Sequence, residues 1–433
     1  MKKSGKLAVV VLCAAALGAG AEGLDRRAIE RKAFEALAEV AVKLPPELRM
    51  TDISAYSTNR LSFALNNGLA MTKGGRIWAS WIAGGDGYKS FTVANWSDDG
   101  GETWSDVKLV IDGHNKFVVT SRTNIIGTFW LDPDGVFHLY TDQTVMHFDG
   151  RAGVWESVCH NPDAEKPEWS APRRIADGHL LNKPIVLKDG SWAMSVYLND
   201  TWRGQGSFPG AFPELDPLRG MTCFVSTDHG KTWERRGTVK IAEKGLGNIG
   251  DWQESQLLEA DGALHVFARA MDGSAPRFMT AQSTDGGRTW SKAVPHPFLK
   301  HTNARFQMVK LASGNVVFVK HGRPDEATVP WQNGRGRVRM TAYLSEDGGK
   351  TWKGGLEIWK GKGSYPDLFQ APDGYIYVSH DHERANDAEV ILHRFNEADI
   401  LAGKIVSPKG KLNRLVSRGM ASAFNRDRFG AQK

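Results

Sequence analysis

Short apolar stretches interrupted by a polar turn recur six times along the chain. They read "GLAMTKGGRIWASW", "IGTFWLDPDGVFHLY", "PIVLKDGSWAMSV", "SQLLEADGALHVFA", "FQMVKLASGNVVFV" and "LFQAPDGYIYVS". Each sets a glycine at its turn (Gly75, Gly135, Gly190, Gly262, Gly314 and Gly374) between β-branched and aromatic residues. That pattern predicts a tight hairpin, because glycine reaches positive φ without steric cost while its neighbours suit a pleated, half-buried strand. The units are roughly 60 residues long, room for four short strands each, and six such units predict an all-β, six-bladed β-propeller. Only "LDRRAIERKAFEALAEVAVKL", Leu24 to Leu44, has helical periodicity, and Pro45-Pro46 ends it. It is expected to be an amphipathic helix packing on the propeller or a mobile lead-in, rather than a helix for a partner.

A second repeat, Ser-x-Asp-x-Gly-x-Thr-Trp, begins at Ser97, Ser226, Ser283 and Ser345. It falls after the third strand of a blade and its residues suit a turn. The aspartate accepts nearby backbone N–H groups, the glycine takes the special dihedral and the tryptophan packs between blades. The first interval is about twice the others, which predicts a degenerate copy at "PEWSAPRRI", Pro167 to Ile175. One fixed carboxylate per copy falls far short of the oxygens calcium needs, and no His/Asp/Cys spacing suggests zinc. The boxes are therefore read as structural, with no metal or cofactor expected.

The N-terminus adds a destination. Lys2, Lys3 and Lys6, the apolar run "LAVVVLCAAALGAGA" and Ala19-Gly20-Ala21 compose a signal peptide over residues 1–21. Its apolar run is too short to span a bilayer, so an exported, soluble protein is expected, periplasmic or extracellular. A helical lead-in over 22–50, the propeller over 51–410 and a tail over 411–433 complete the division. The formal charge of +6 falls to about +3 without the signal lysines, and the remaining charges are interspersed, which removes the case for a nucleic-acid partner. Cys159 and Cys223 would then face an oxidising compartment, where their number permits one disulfide.

The repeated Ser-x-Asp-x-Gly-x-Thr-Trp box on a six-bladed chain resembles the sialidase (neuraminidase) superfamily, where it is called the Asp box. The resemblance covers about Tyr56 to Gly403 and implies the fold more strongly than an activity. Propeller geometry by itself directs attention to residues just before the first strand and just after the second strand of each blade, which face one mouth of the central channel. Those positions are polar in every blade and suit a polar, anionic sugar. By blade position Arg305, Lys183, Asn67, Arg122 and His321 are candidates for substrate contact.

The resemblance adds roles. "ESQLLEADGALHVFAR" is similar to the family segment in which a Glu opens a blade and an Arg follows its second strand, which maps to Glu254 and Arg269. "SYPDLFQAPDGYIYVSHD" resembles the last-blade segment bearing the nucleophilic tyrosine, here Tyr365, with Pro366 where the family usually has Ser. "GGD" before the first box maps the acid/base to Asp86, and "GRVRMTAYLSEDGG" maps a further substrate arginine to Arg337, with Arg339 second. The expected site is thus catalytic Tyr365, Glu254 and Asp86, with Arg269 and Arg337 on a substrate carboxylate. A neutral phenol suits attack beside that carboxylate, since a carboxylate nucleophile would be repelled. In one respect the chain departs from the family: the Arg-Ile-Pro segment opening blade one is replaced by "FALNNGLAMTKGG", which puts Asn66 or Asn67 where the first substrate arginine is expected. Arg60 lies about five residues too early. A retaining exo-glycosidase acting on a terminal acidic sugar is the leading expectation. A propeller hydrolase or lyase acting on a rhamnoside or uronate, and a non-catalytic glycan-binding propeller, are the alternatives.

Overall fold

The computed structural model describes residues 25–114, 122–145, 150–198, 210–240, 254–269, 277–329 and 336–420. The signal segment expected at 1–21 lies outside them. Six antiparallel sheets form the six blades of a propeller. From the channel outward, blade one runs Leu65–Met71, Ile77–Ala83, Phe91–Ser97 and Leu109–Ile111, with Leu48–Arg49 added outermost. Blade two runs Thr123–Leu131, Phe137–Thr144, Gly153–Cys159 and Arg173–Ala176; blade three runs Ile185–Val186, Trp192–Leu198, Gly220–Ser226 and Glu234–Val239. Blade four comprises Gln256–Ala260, Ala263–Arg269, Arg277–Ser283 and Val294–Lys300; blade five, Gln307–Lys310, Val316–His321, Met340–Ser345 and Lys353–Trp359. Blade six comprises Ser364–Gln370, Ile376–His382, Glu389–Phe395 and Lys411–Arg418. The sheets thus extend past the boundaries expected at 51 and 410, because Leu48–Arg49 and Lys411–Arg418 both serve as outer strands.

All six turn glycines sit between the first and second strands of their blades and take positive φ, from 73° at Gly262 to 98° at Gly75. The tightest turn joins Ala260 to its partner Ala263 through Asp261 (φ 52°) and Gly262. Two positive φ values in a two-residue loop give the backbone twist that a right-twisted hairpin requires. Large aromatics fill the wedges between blades. Trp78 of blade one is fully buried and meets Phe129 and Phe137 of blade two at 5.5 and 6.2 Å, while Trp130 and Trp192 form an edge-to-face pair at 4.8 Å between blades two and three. A buried tryptophan removes ~200 Å² from water, worth on the order of 5 kcal/mol per ring before entropy is counted.

The boxes fold as the sequence implies. Ser97 Oγ donates to Asp99 Oδ1 (2.7 Å) and accepts from Gly101 N (2.8 Å), while Asp99 takes the Thr103 amide (2.9 Å) and hydroxyl (2.5 Å). The same set recurs at Asp228, where the Thr232 hydroxyl and amide hold the carboxyl at about 2. The degenerate copy lies in blade two. Cys159 stands for the serine and donates its thiol to Asn161 Oδ1 (3.3 Å), which also accepts the Glu168 amide (2.8 Å), and Trp169 bridges back to Cys159. In blade six the third strand leads instead into the helix Glu397–Ala402, closed by an Asn396/Asp399 capping box.

Cys159 and Cys223 are both buried and free, so the bridge that their number permits is not formed. Burial pushes the Cys223 thiol up to about 12. The N-terminal helix spans Arg26–Lys43, within a residue or two of expectation, and Phe34 and Ala38 pack it against Leu198, Ala211, Phe212 and Leu215. Among the described residues no helix is long and apolar enough to cross a membrane. The ring closes between blades six and one through Met420 N to Leu61 O (2.8 Å) and Ala64 N to Arg384 O (2.9 Å).

Candidate active site

The first strands of the blades converge on the channel, so residues at their starts and residues following the second strands meet at one mouth. Glu254 precedes the first strand of blade four, Arg269 ends its second, and Tyr365 lies at the start of blade six. Arg269 Nη1 pairs with Glu254 Oε1 at 2.7 Å and lies 3.4 Å from the Tyr365 hydroxyl. Both Glu254 and Arg269 are nearly inaccessible to solvent. The Tyr365 ring is flanked by two further guanidiniums, that of Arg337 at 5.4 Å from its centroid and that of Arg384 at 4.6 Å. Four of the sequence candidates, Glu254, Arg269, Tyr365 and Arg337, are therefore brought together.

Backbone strain is concentrated here. Glu254 has φ of 62° and Tyr365 of 55°, a region costing a non-glycine residue roughly 1–3 kcal/mol, and such strain persists where surrounding structure over-determines it. The channel environment also sets charge states. Burial raises the Tyr365 phenol, with Glu254 pushing the same way, while Arg269, Arg337 and Arg384 pull it down. Burial works against the charge on Arg269, but Glu254 holds its pKa above the ordinary value. Burial lowers Arg337, and neighbouring Arg384 and Arg269 act in the same direction. Glu254 Oε2 is buried and makes no hydrogen bond among the described residues.

Arg384 was missed by reading along the strands. It lies in the hairpin loop two residues past the second strand of blade six, and Asp381 holds it through Nε to Oδ1 and Nη2 to Oδ2, each 3.3 Å, with Nη2 also donating to Ser364 Oγ. Asp381 in turn accepts Ser364 Oγ (2.9 Å) and the Asn66 amide (3.3 Å). Because Ala64 N binds Arg384 O, this guanidinium enters the site beside the blade-one opening, where Asn66 and Asn67 replace an arginine. The signal available in sequence was the charged loop "HDHERAND" following a second strand. Asp86, half-exposed in the loop after blade one's second strand, stands 3.8 Å from Arg384 Nη1 through Oδ2.

Other candidates lie elsewhere. Arg305 is completely buried, donating to Asn67 O (2.7 Å), Leu181 O (2.9 Å), Asn182 Oδ1 (3.0 Å) and Asp367 Oδ1 (3.1 Å). Lys183 Nζ binds Asp367 Oδ2 and Leu368 O (3.0 Å). These two cations tie blades one, three, five and six together across the channel, and Arg305 spends its donors on four internal acceptors. Arg122 instead donates to Leu44 O and Pro45 O, fastening the chain that leaves the N-terminal helix. Asn67 is fully buried, and its side-chain amide makes no hydrogen bond among the described residues. His321 is buried near Arg337, and burial pushes it well below the usual histidine range, so its ring is neutral. Arg60 ends a 3-10 turn, Thr58–Arg60, and is exposed.

Comparison with known proteins agrees with the architecture. A search of curated proteins returns no match. Among solved structures, a Hadza microbial sialidase is similar at 16% identity over 74% of this chain and 63% of its own, with a TM-score of 0.53. The NanB sialidase from Streptococcus pneumoniae is similar at 14% identity over 78% and 67%, with a TM-score of 0.53, and a leech intramolecular trans-sialidase at 13% over 83% and 71%, with a TM-score of 0.57. The chain thus spans just under two thirds of the first of these, and likeness at such identities establishes the fold. The BNR repeat-like domain model matches residues 75–378, and the chain belongs to that family.

Proposed function

We propose that the protein is a retaining exo-glycosidase that removes a terminal acidic sugar from glycans, with Tyr365 as nucleophile. The observation that carries this reading is a phenol surrounded by three guanidiniums from three blades, one of them paired to a buried glutamate. Arg337 pairs with no carboxylate among the described residues, its Nε donating to Asn303 O (3.0 Å), and with Arg269 and Arg384 beside it the set suits an anionic group, which it would hold by charge-assisted, preferably bidentate bonds. A sugar so held brings its anomeric carbon over Tyr365. Glu254, whose Oε2 makes no hydrogen bond among the described residues, takes the phenolic proton as the C–O bond to Tyr365 forms. Asp86 delivers a proton to the departing oxygen and then draws one from the water that hydrolyses the glycosyl–tyrosine bond, while Glu254 returns its proton to the departing phenolate and regenerates the phenol. The sialidases similar in fold support a sialoside as the first substrate to try.

Product analysis tests the reading. Purified protein incubated with sialosides, rhamnosides and uronate polysaccharides is expected to release free acidic sugar with retained anomeric configuration. An unsaturated product absorbing in the ultraviolet would identify a lyase instead, and binding without any product a glycan-binding propeller.

A further inference from the structure

The loop Gly84–Ser90 carries more than Asp86. Two residues on, Tyr88 is 55% exposed; among the described residues only it and Phe298 (51%) are aromatic side chains left largely in solvent. The loop that presents it is tied down. Ser90 Oγ bonds to Gly85 O (2.6 Å) and Gly87 O (2.5 Å), Thr123 Oγ1 donates to Tyr88 O (3.2 Å), and the Asn124 amide to Ser90 O (3.3 Å).

His114 adds the firmest tether. Its Nε2 lies 2.8 Å from Tyr88 O and its Nδ1 2.6 Å from Asp112 Oδ1. A carbonyl and a carboxylate are both acceptors, so the ring satisfies both only with a proton on each nitrogen. Asp112 supports that cation and is itself fixed by the Tyr56 hydroxyl (2.8 Å), which accepts from Arg49. The backbone of Tyr88 is therefore held by a charged clamp while its ring points outward, an arrangement a mere surface loop has no need of.

Geometry gives the ring an occupant. An acid at Asp86 must face the oxygen that departs, so the rest of the leaving group passes over this loop rather than over the arginines. A pyranose offers an apolar C–H face, and an exposed aromatic ring is its natural platform. We propose that Tyr88 forms a second sugar subsite, binding the first pyranose of the leaving group by stacking against its C–H face.

The subsite rests on the glycosidase reading, with Asp86 as acid, and paired substrates separate the two. One substrate is the acidic sugar linked to an oligosaccharide; the other is the same sugar as its glycosyl fluoride, which has no leaving-group ring and needs little acid assistance. Tyr88→Ala is expected to lower kcat/KM on the oligosaccharide roughly 10-fold, mainly through KM, and to leave the fluoride within twofold. Tyr88→Phe is expected to restore the oligosaccharide rate. Equal losses on both substrates, or no loss on either, overturn the subsite. Asp86→Asn checks the underlying reading separately: it should impair the oligosaccharide far more than the fluoride. If Asp86→Asn does so while Tyr88→Ala changes nothing, the platform alone is wrong; if the wild-type chain turns over neither substrate, both ideas fall.

Discussion

Two charge clusters occupy the channel and use the same side-chain types differently. The inner one joins Arg305, Lys183 and Asp367: Arg305 makes bonds to four acceptors, and Asp367 accepts from Arg305, Lys183 and the Leu69 amide (2.6 Å). The mouth cluster gathers Arg269, Arg337 and Arg384 around Tyr365, leaves one oxygen of Glu254 without a hydrogen bond among the described residues, and holds two residues at positive φ. One cluster is closed upon itself, whereas in the other Arg337 pairs with no carboxylate among the described residues. The difference teaches that a buried arginine signals a ligand only when its acceptors run out before its donors do.

Removing one partner from each cluster sharpens the contrast. Arg305→Ala leaves Asp367, the Asn182 side chain and two backbone carbonyls buried and short of a donor, so it should lower unfolding free energy by roughly 3–5 kcal/mol, seen as a large drop in denaturant midpoint. Arg337→Ala strands no carboxylate and relieves repulsion with Arg384 and Arg269; it should leave the midpoint unchanged or raised while cutting kcat/KM about 100-fold. Equal stability losses in the two variants would break the distinction.

A third cluster carries a pH signature. His138 is buried between Asp132 Oδ2 and Glu156 Oε1, each 3.0 Å away, and although burial opposes its charge these two carboxylates raise its pKa above the ordinary 6.5. A raised folded-state pKa gives stability that is fully present below the unfolded value and is lost as pH rises through the folded one. Thermal midpoints should therefore decline above neutral pH more steeply in the wild type than in His138→Gln; parallel profiles would contradict the pairing. The smallest effect belongs to the boxes. Asp99→Asn should cost about 1 kcal/mol of stability through its bonds to Thr103 and leave kcat/KM unchanged, because those bonds brace a turn and touch no channel residue.

Legibility followed locality. Hairpins, boxes and the helix are written in short windows, so Gly75 through Gly374 located every blade. Glu254, Arg269 and Tyr365 were readable because each lies seven to nine residues from a turn glycine, at or just before the start of a first strand or at the end of a second, in a segment that resembles the family's. Arg305 and Lys183 also precede a first strand, nine and seven residues before their turn glycines, yet their side chains turn inward to Asp367, a choice made by partners more than 60 residues away. Arg384 was hidden for the converse reason: it supplies the blade-one side of the site from blade six, and only ring closure at Ala64 brings the two together.

The central claim is that Tyr365 attacks the sugar. Acid-quenched enzyme turning over its slowest good substrate, digested and mapped by mass spectrometry, is expected to carry a sugar adduct on the peptide containing Tyr365, and Tyr365→Phe is expected to lose both the adduct and turnover by on the order of 1000-fold. Turnover by Tyr365→Phe within a factor of about two of wild type, or an adduct on Glu254, would contradict it.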